Sequence, residues 1–213
     1  SIIYQDGLLV TFGQAGLTIF IVGTVLMTVF KQFANELRTK DGFLVTALCY
    51  FALGAFSALP LALNPALNMS WVDAWFESFS GLTTTGATVI TGLDQLPPSI
   101  LYYRQQLQWL GGMGIIVLAV AILPMLGVGG MQLYRTEAPG PVKDSKLTPR
   151  IKQTALALWS IYIILTAACC AGYFAAGMSL FDAICHSFST VAIGGFSTHD
   201  ASLGYFNSPA IEA

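Results

Sequence analysis

Two six-residue stretches of this 213-residue chain combine glycine with small or hydroxyl side chains and carry no charge: TTTGAT at 83–88 and AIGGFS at 192–197. Their chemistry is coordination by neutral oxygens. Glycine permits positive φ and close backbone approach, so an extended stretch of this type can turn successive carbonyls toward one axis and replace a cation's hydration shell. A ring of carboxylates would hold divalent ions more tightly and release them more slowly, and neither hexapeptide contains one. Taken singly, the first also reads as a polar turn and the second as a helix-packing glycine pair.

Their surroundings repeat. A shift of 109 residues aligns Ser70, Asp73, Ala74, Ser78, Phe79, Ser80 and Gly86 with Ser179, Asp182, Ala183, Ser187, Phe188, Ser189 and Gly195 without a gap. Ser70-x-x-Asp73 and Ser179-x-x-Asp182 both fit a capping box, which starts a helix and sets an acid near its positive end. From Trp71 to Leu82 the predicted helix has twelve residues, about 18 Å at ~1.5 Å per residue and roughly half the hydrocarbon thickness. It therefore stops at mid-membrane depth with the negative end of its dipole favouring a cation.

The elements that hold these half-helices are predicted from charge. Residues 7–30, 42–72, 105–134 and 153–181 are free of Asp, Glu, Lys and Arg, and each stretch exceeds the ~20 residues a spanning helix needs. Spans are expected at 8–30, 43–63, 104–128 and 153–176. Eight of the nine basic residues fall at Lys31, Arg38 and Lys40 or at Arg135, Lys143, Lys146, Arg150 and Lys152. Both loops, 31–40 and 135–152, are expected on the cytoplasmic side. If the segment at 71–93 crossed the membrane, those loops would face opposite sides, so it must enter and leave on the outer face. Irregular backbone at that depth is tolerated only where protein buries it or where it lines an aqueous cavity.

Composition excludes other classes. The chain is 55% hydrophobic and 9% charged, with a net charge of −2, where soluble domains carry about 25% charged residues. No basic surface exists for nucleic acid. The spans carry no paired carboxylates, metal-ligand cluster or nucleophile beside a base, which argues against a membrane-embedded enzyme. A non-transporting assembly subunit would not need two repeated carbonyl-lining loops. Cys49, Cys169, Cys170 and Cys185 lack zinc or disulfide spacing and read as small hydrophobes. The start at Ser1 and the end just past Pro209 suggest a fragment of a longer protein.

With SFSGLTTTGAT at 78–88, QWLGGMGIIVLAVAILPMLGVGGMQLYR at 108–135 and HSFSTVAIGGFSTHD at 186–200 in view, the chain resembles the bacterial branch of the Trk/Ktr/HKT superfamily of potassium transporters over nearly its whole length. The resemblance implies an all-α polytopic membrane protein of the bacterial inner membrane. It would be built from four K-channel-like units of helix, re-entrant pore loop and helix around one pore. About two of those units are present, with a leading helix and loop at 1–40, a first unit at 41–135, a cytoplasmic linker at 136–152 and a truncated second unit at 153–213. Carried over by motif, the selectivity filter comprises Thr83, Thr84, Thr85 and Gly86, then Ala192, Ile193, Gly194 and Gly195. K⁺, the transported ion, would contact mainly Thr84, Thr85, Ile193 and Gly194, with no covalent cofactor. Glycine at Gly86 goes with potassium, whereas plant relatives with serine there favour sodium, so a sodium or non-selective channel is the alternative. The resemblance also implies a lipid-embedded homodimer with a TrkA-like nucleotide-binding regulatory subunit on its cytoplasmic side. The gating segment of such proteins lies in a later unit.

Other residues have blander readings. Arg104, the one basic residue outside the cytoplasmic loops, is expected to snorkel or to partner an acid such as Asp94. Asp73 and Asp182 read as caps before cation concentrators. His186, four residues after Asp182, reads as packing before metal binding. His199 and Asp200 form either ordinary loop contacts or a pH-sensitive one. GVGG at 127–130 lacks the lysine of a nucleotide loop. Gly111, Gly112 and Gly114 suit close helix packing, and the proline-bearing loop at 136–150 suits docking of a soluble partner.

Overall fold

A computed structural model describes residues 1, 3–31, 39–122 and 144–212, and every described regular element is helical. Helix α1 (Leu9–Phe30) fills the first predicted span. Helix α2 (Thr39–Ser57) ends where Pro60 forbids continuation, and the chain restarts as the short α3 (Leu59–Ala62). Helix α4 (Trp71–Leu82) is the first predicted half-helix. Helix α5 (Pro98–Ile122) opens with proline at its first position, six residues ahead of the span expected from charge. Helix α6 (Asp144–Ala175) begins within the predicted linker, and α7 (Leu180–Ala192) is the second half-helix. A four-residue α8 (Pro209–Glu212) follows. The GVGG stretch and residues 136–143 of the linker lie outside the described residues.

Helix α1 and residues 153–175 of α6 are long and apolar enough to cross a membrane. Their outward faces carry Phe20, Met27, Ile161 and Ile164, all exposed, as helices bathed in lipid require. Polar residues are instead sequestered inward: Glu77, Arg104, Gln105 and Gln108 are each 0% exposed. This inversion places the polar chemistry in the protein interior.

Both half-helix segments enter and leave at one end of the molecule. In the first, Leu67 and Met69, ahead of α4, pack with Ile90, Leu93 and Leu96 on the returning strand. In the second, Met178 and Ala183 at the start of α7 pack with Leu203, Phe206 and Ile211. Phe181 joins the first cluster, so the two segments share that end.

Helix α5 forms the wall behind both half-helices. A Cβ added at Gly111 would meet the Leu82 carbonyl oxygen at 2.0 Å, and one at Gly112 would meet Ala192 Cβ at 3.1 Å. Gly114 approaches the Tyr50 hydroxyl to 2.7 Å on the same measure. The small-residue cluster thus permits the close approach its sequence suggested. At its other end α5 is held from a distance: Asp6 accepts from the Ser99 amide at 3.1 Å and from the Ser99 hydroxyl, placing a carboxylate at the positive helix terminus.

Candidate functional site

Each half-helix begins with a serine cap. The Ser70 Oγ accepts the Asp73 amide at 3.1 Å, and the Ser179 Oγ accepts that of Asp182 at 3.1 Å. The acids answer differently from the usual capping box: each carboxylate accepts from the serine hydroxyl itself, at 2.7 and 2.6 Å. One carboxylate oxygen is thereby left free, and Asp182 uses Oδ1 to accept the Thr198 hydroxyl at 2.8 Å.

The half-helices also end alike. Thr84 N–H donates to Gly81 O at 3.0 Å and Thr85 N–H to Ser80 O at 2.9 Å. At the positions 109 residues on, Ile193 N–H donates to Thr190 O at 3.0 Å and Gly194 N–H to Ser189 O at 2.8 Å. Thr84 and Ile193 have φ of 56° and 55°, and Gly86 and Gly195 have φ of 78° and 84°. Two non-glycine residues, both of them β-branched, are therefore held left-handed at matching places, a conformation that costs roughly 1–2 kcal/mol per residue. Surrounding structure must impose it.

The two segments touch. A Cβ added at Gly86 would stand 1.9 Å from the carbonyl oxygen of Gly194. Ile193 is 88% exposed on this side of the molecule, and Thr83 and Thr85 join their hydroxyls at 2.8 Å. One boundary differs from the motif-based expectation. Helix α7 runs through Ala192, so this residue is the last helical one and left-handed Ile193 is the cap, whereas in the first segment Thr83 already caps α4.

Behind these segments lies a buried polar layer. Glu77 Oε1 accepts from Arg104 Nε at 2.8 Å and lies 2.7 Å from Nη2. The same carboxylate accepts the Thr88 hydroxyl at 2.9 and 3.0 Å and the Val89 amide at 3.1 Å. Arg104 also donates to Thr88 Oγ1 at 3.0 Å and to the Ser197 carbonyl at 3.3 Å, with its guanidinium carbon 4.3 Å from the Phe196 ring centre. Arg104 neither snorkels nor pairs with Asp94. A charge in an apolar frame needs a buried partner, and Glu77 supplies it.

Gln108 serves the second segment. Its Oε1 accepts from the Ser189 hydroxyl at 2.9 Å and from Phe196 N–H at 3.1 Å, and its amide would lie 2.3 Å from a Cβ on Gly194. Sequence reasoning had assigned Glu77 and Gln108 no such role. The available signal was their polarity in otherwise apolar surroundings. His186 is buried and uses Nδ1–H toward the Asp182 carbonyl at 2.9 Å, which leaves Nε2 to accept from Ser197 Oγ at 3.0 Å. That is a packing and hydrogen-bonding role.

At the shared mouth, His199 Nδ1 meets Asp94 Oδ1, and its Nε2 stands 3.4 Å from Asp182 Oδ1. The ring stacks on Tyr205 at 3.5 Å between centres. Asp200 Oδ1 accepts the Gly92 amide at 3.0 Å. The His199–Asp200 step thus fastens the second returning strand to the first. The hydrogen bond from His199 holds the Asp94 carboxyl below its ordinary value.

Paired half-helices that end in touching, left-handed backbone segments within a lipid-facing helical frame define a polytopic membrane-protein fold. The chain matches the family described as cation transport protein, TrkH, over residues 9–213, and belongs to that family. It is 65% identical over its full length to 44% of the Trk system potassium uptake protein TrkH of Halomonas elongata. Over 99% of its length it is 57% identical to 44% of the Escherichia coli K12 protein of the same name. The crystal structure of the potassium transporter TrkH from Vibrio parahaemolyticus superposes with a TM-score of 0.85 at 53% identity, over 99% of this chain and 42% of that one. The chain therefore spans less than half the length of these relatives. It is a multi-pass segment of a bacterial inner-membrane protein.

Proposed function

We propose that this chain supplies two quarters of a K⁺-selective pore in a Trk-type uptake system. The carrying observation is the alternation in φ, positive at Thr84 and Gly86 but not Thr85, and repeated at Ile193, Gly194 and Gly195. In a strand of uniform conformation successive carbonyls face opposite ways. A backbone alternating in hand turns them to one side, which is how neutral oxygens replace an ion's water. K⁺ is expected against the carbonyls of Thr84, Thr85, Ile193 and Gly194, with Thr83, Gly86, Ala192 and Gly195 completing the filter. Both half-helices direct their C-terminal ends at these segments, adding a negative potential.

The relatives' names support potassium as the ion, and Gly86, with no room for a side chain, fits that reading. No catalytic step is assigned, because the acids near the segments are engaged in caps and the Glu77–Arg104 pair. The remaining quarters belong to the part of such proteins beyond this chain's match. A homodimer with a TrkA-like nucleotide-binding regulatory subunit on the cytoplasmic loops completes the proposal. The test is K⁺ and Na⁺ flux through the full-length protein in liposomes. K⁺ flux with preference over Na⁺ is expected, and equal or absent K⁺ flux would overturn the reading.

A further inference from the structure

The 109-residue shift that superposes the filters also superposes Glu77 on His186 and Thr88 on Ser197. In each unit a half-helix side chain takes the hydroxyl of the residue two places beyond the filter glycine: Glu77 that of Thr88 at 2.9 Å, His186 that of Ser197 at 3.0 Å. The same device is thus built from an acid in one unit and an imidazole in the other. Only the acid brings a charge that must be compensated, and Arg104 compensates it.

Arg104 does more than neutralise. Its planar fork presents several donors in fixed directions, and they are divided between the two units. Nε and Nη2 hold Glu77 and Thr88 behind the first segment, and Nη1 holds the Ser197 carbonyl behind the second. Its side chain is 1% exposed and that of Glu77 0%. Water therefore does not compete for these contacts, and none of them is made by an atom of the filter itself.

We propose that Arg104, with Glu77, is a positioning element that sets ion selectivity by locking the two filter segments at one separation. It rests on the functional reading above. In the snug-fit account of discrimination between K⁺ and Na⁺, the carbonyl oxygens must be kept from closing on the smaller ion. A guanidinium that grips the strand leaving one segment and the strand leaving the other resists that closure. The left-handed Thr84 and Ile193 would relax first if the grip were lost.

The experiment measures K⁺ and Na⁺ fluxes in liposomes for the full-length protein and its Arg104→Gln, Glu77→Gln and Thr88→Val variants, with folded yield and melting temperature in parallel. The Thr88→Val variant keeps the ion pair and removes only the hydroxyl shared by Glu77, Arg104 and the Ile90 amide. It decides the matter if the charge variants do not fold. The expected result is a fall of at least about tenfold in the K⁺:Na⁺ flux ratio for each folded variant, since each loses at least one hydrogen bond to a charged group. A parent that prefers K⁺ alongside folded variants with an unchanged ratio overturns the proposal, even if total flux or melting temperature drops. A parent without K⁺ preference overturns both the functional reading and this inference.

Discussion

The Cα of Gly86 faces the carbonyl oxygen of Gly194 so closely that a Cβ would stand 1.9 Å from it. No rotamer relieves this contact, because both partners are backbone. Gly195, at the matching place in the second unit, shares the left-handed φ but has nothing within 4 Å of a built Cβ. The two glycines are therefore equivalent in conformation and unequal in space.

Gly86→Ala is expected to abolish K⁺ uptake, while Gly195→Ala, which meets only the left-handed strain of roughly 1–2 kcal/mol, is expected to retain part of it. Growth at limiting K⁺ of a strain lacking its own uptake systems, carrying the full-length variants, reads the difference. Equal growth of the two variants would disprove the asymmetry.

Gly111→Ala drives a methyl into the Leu82 carbonyl at 2.0 Å, and overpacking of this kind costs about 1–3 kcal/mol. Gly172→Ala in α6 meets nothing within 4 Å and gains helix propensity. Melting temperatures in detergent are expected to fall for the first and to hold or rise for the second. A stable Gly111→Ala protein would show that α5 does not bear on α4 as described.

Ser70→Ala and Ser179→Ala each remove the acceptor for an N-terminal amide, at a cost of about 1 kcal/mol. Hydrogen exchange should quicken at Asp73 and Asp182 respectively, each change confined to its own half-helix. Unaltered protection would rule out the serine caps.

The Asp94–His199 contact gives a sign for pH. Asp94 is held below its ordinary value of 3.8 by the hydrogen bond from His199, so its contribution is fully present above that value and fades as pH falls through the lower folded one. Asp94→Asn should therefore lower stability at neutral pH and flatten the acid limb of the melting-temperature profile below about pH 5. Parallel profiles for parent and variant would exclude a role for this pair.

The half-helices were legible because their determinants are local. Ser70-x-x-Asp73 and Ser179-x-x-Asp182 specify the starts, and charge-free length specifies the frame. The start of α5 lies six residues ahead of the charge-derived span because Arg104, which bounds the charge-free stretch, is buried within the helix. Its partner was missed for a related reason: Glu77 lies 27 residues away, and nothing periodic links the two. The exclusion of lone charges from apolar surroundings does link them, since Glu77 is an acid in a short, largely apolar helix and Arg104 an otherwise isolated base. The Asp94–His199 contact bridges 105 residues between irregular loops, a pairing that only the assembled mouth creates.

Gly111 and Gly112 are neighbours in sequence, yet the first abuts the end of α4 at Leu82 and the second the end of α7 at Ala192. Adjacent residues of a helix differ in height by ~1.5 Å. The ends of the two half-helices are thus referred to consecutive residues of one covalently continuous helix, which acts as a shared ruler. A bend in α5 at that point would slide one left-handed segment past the other before any of their own side chains moved.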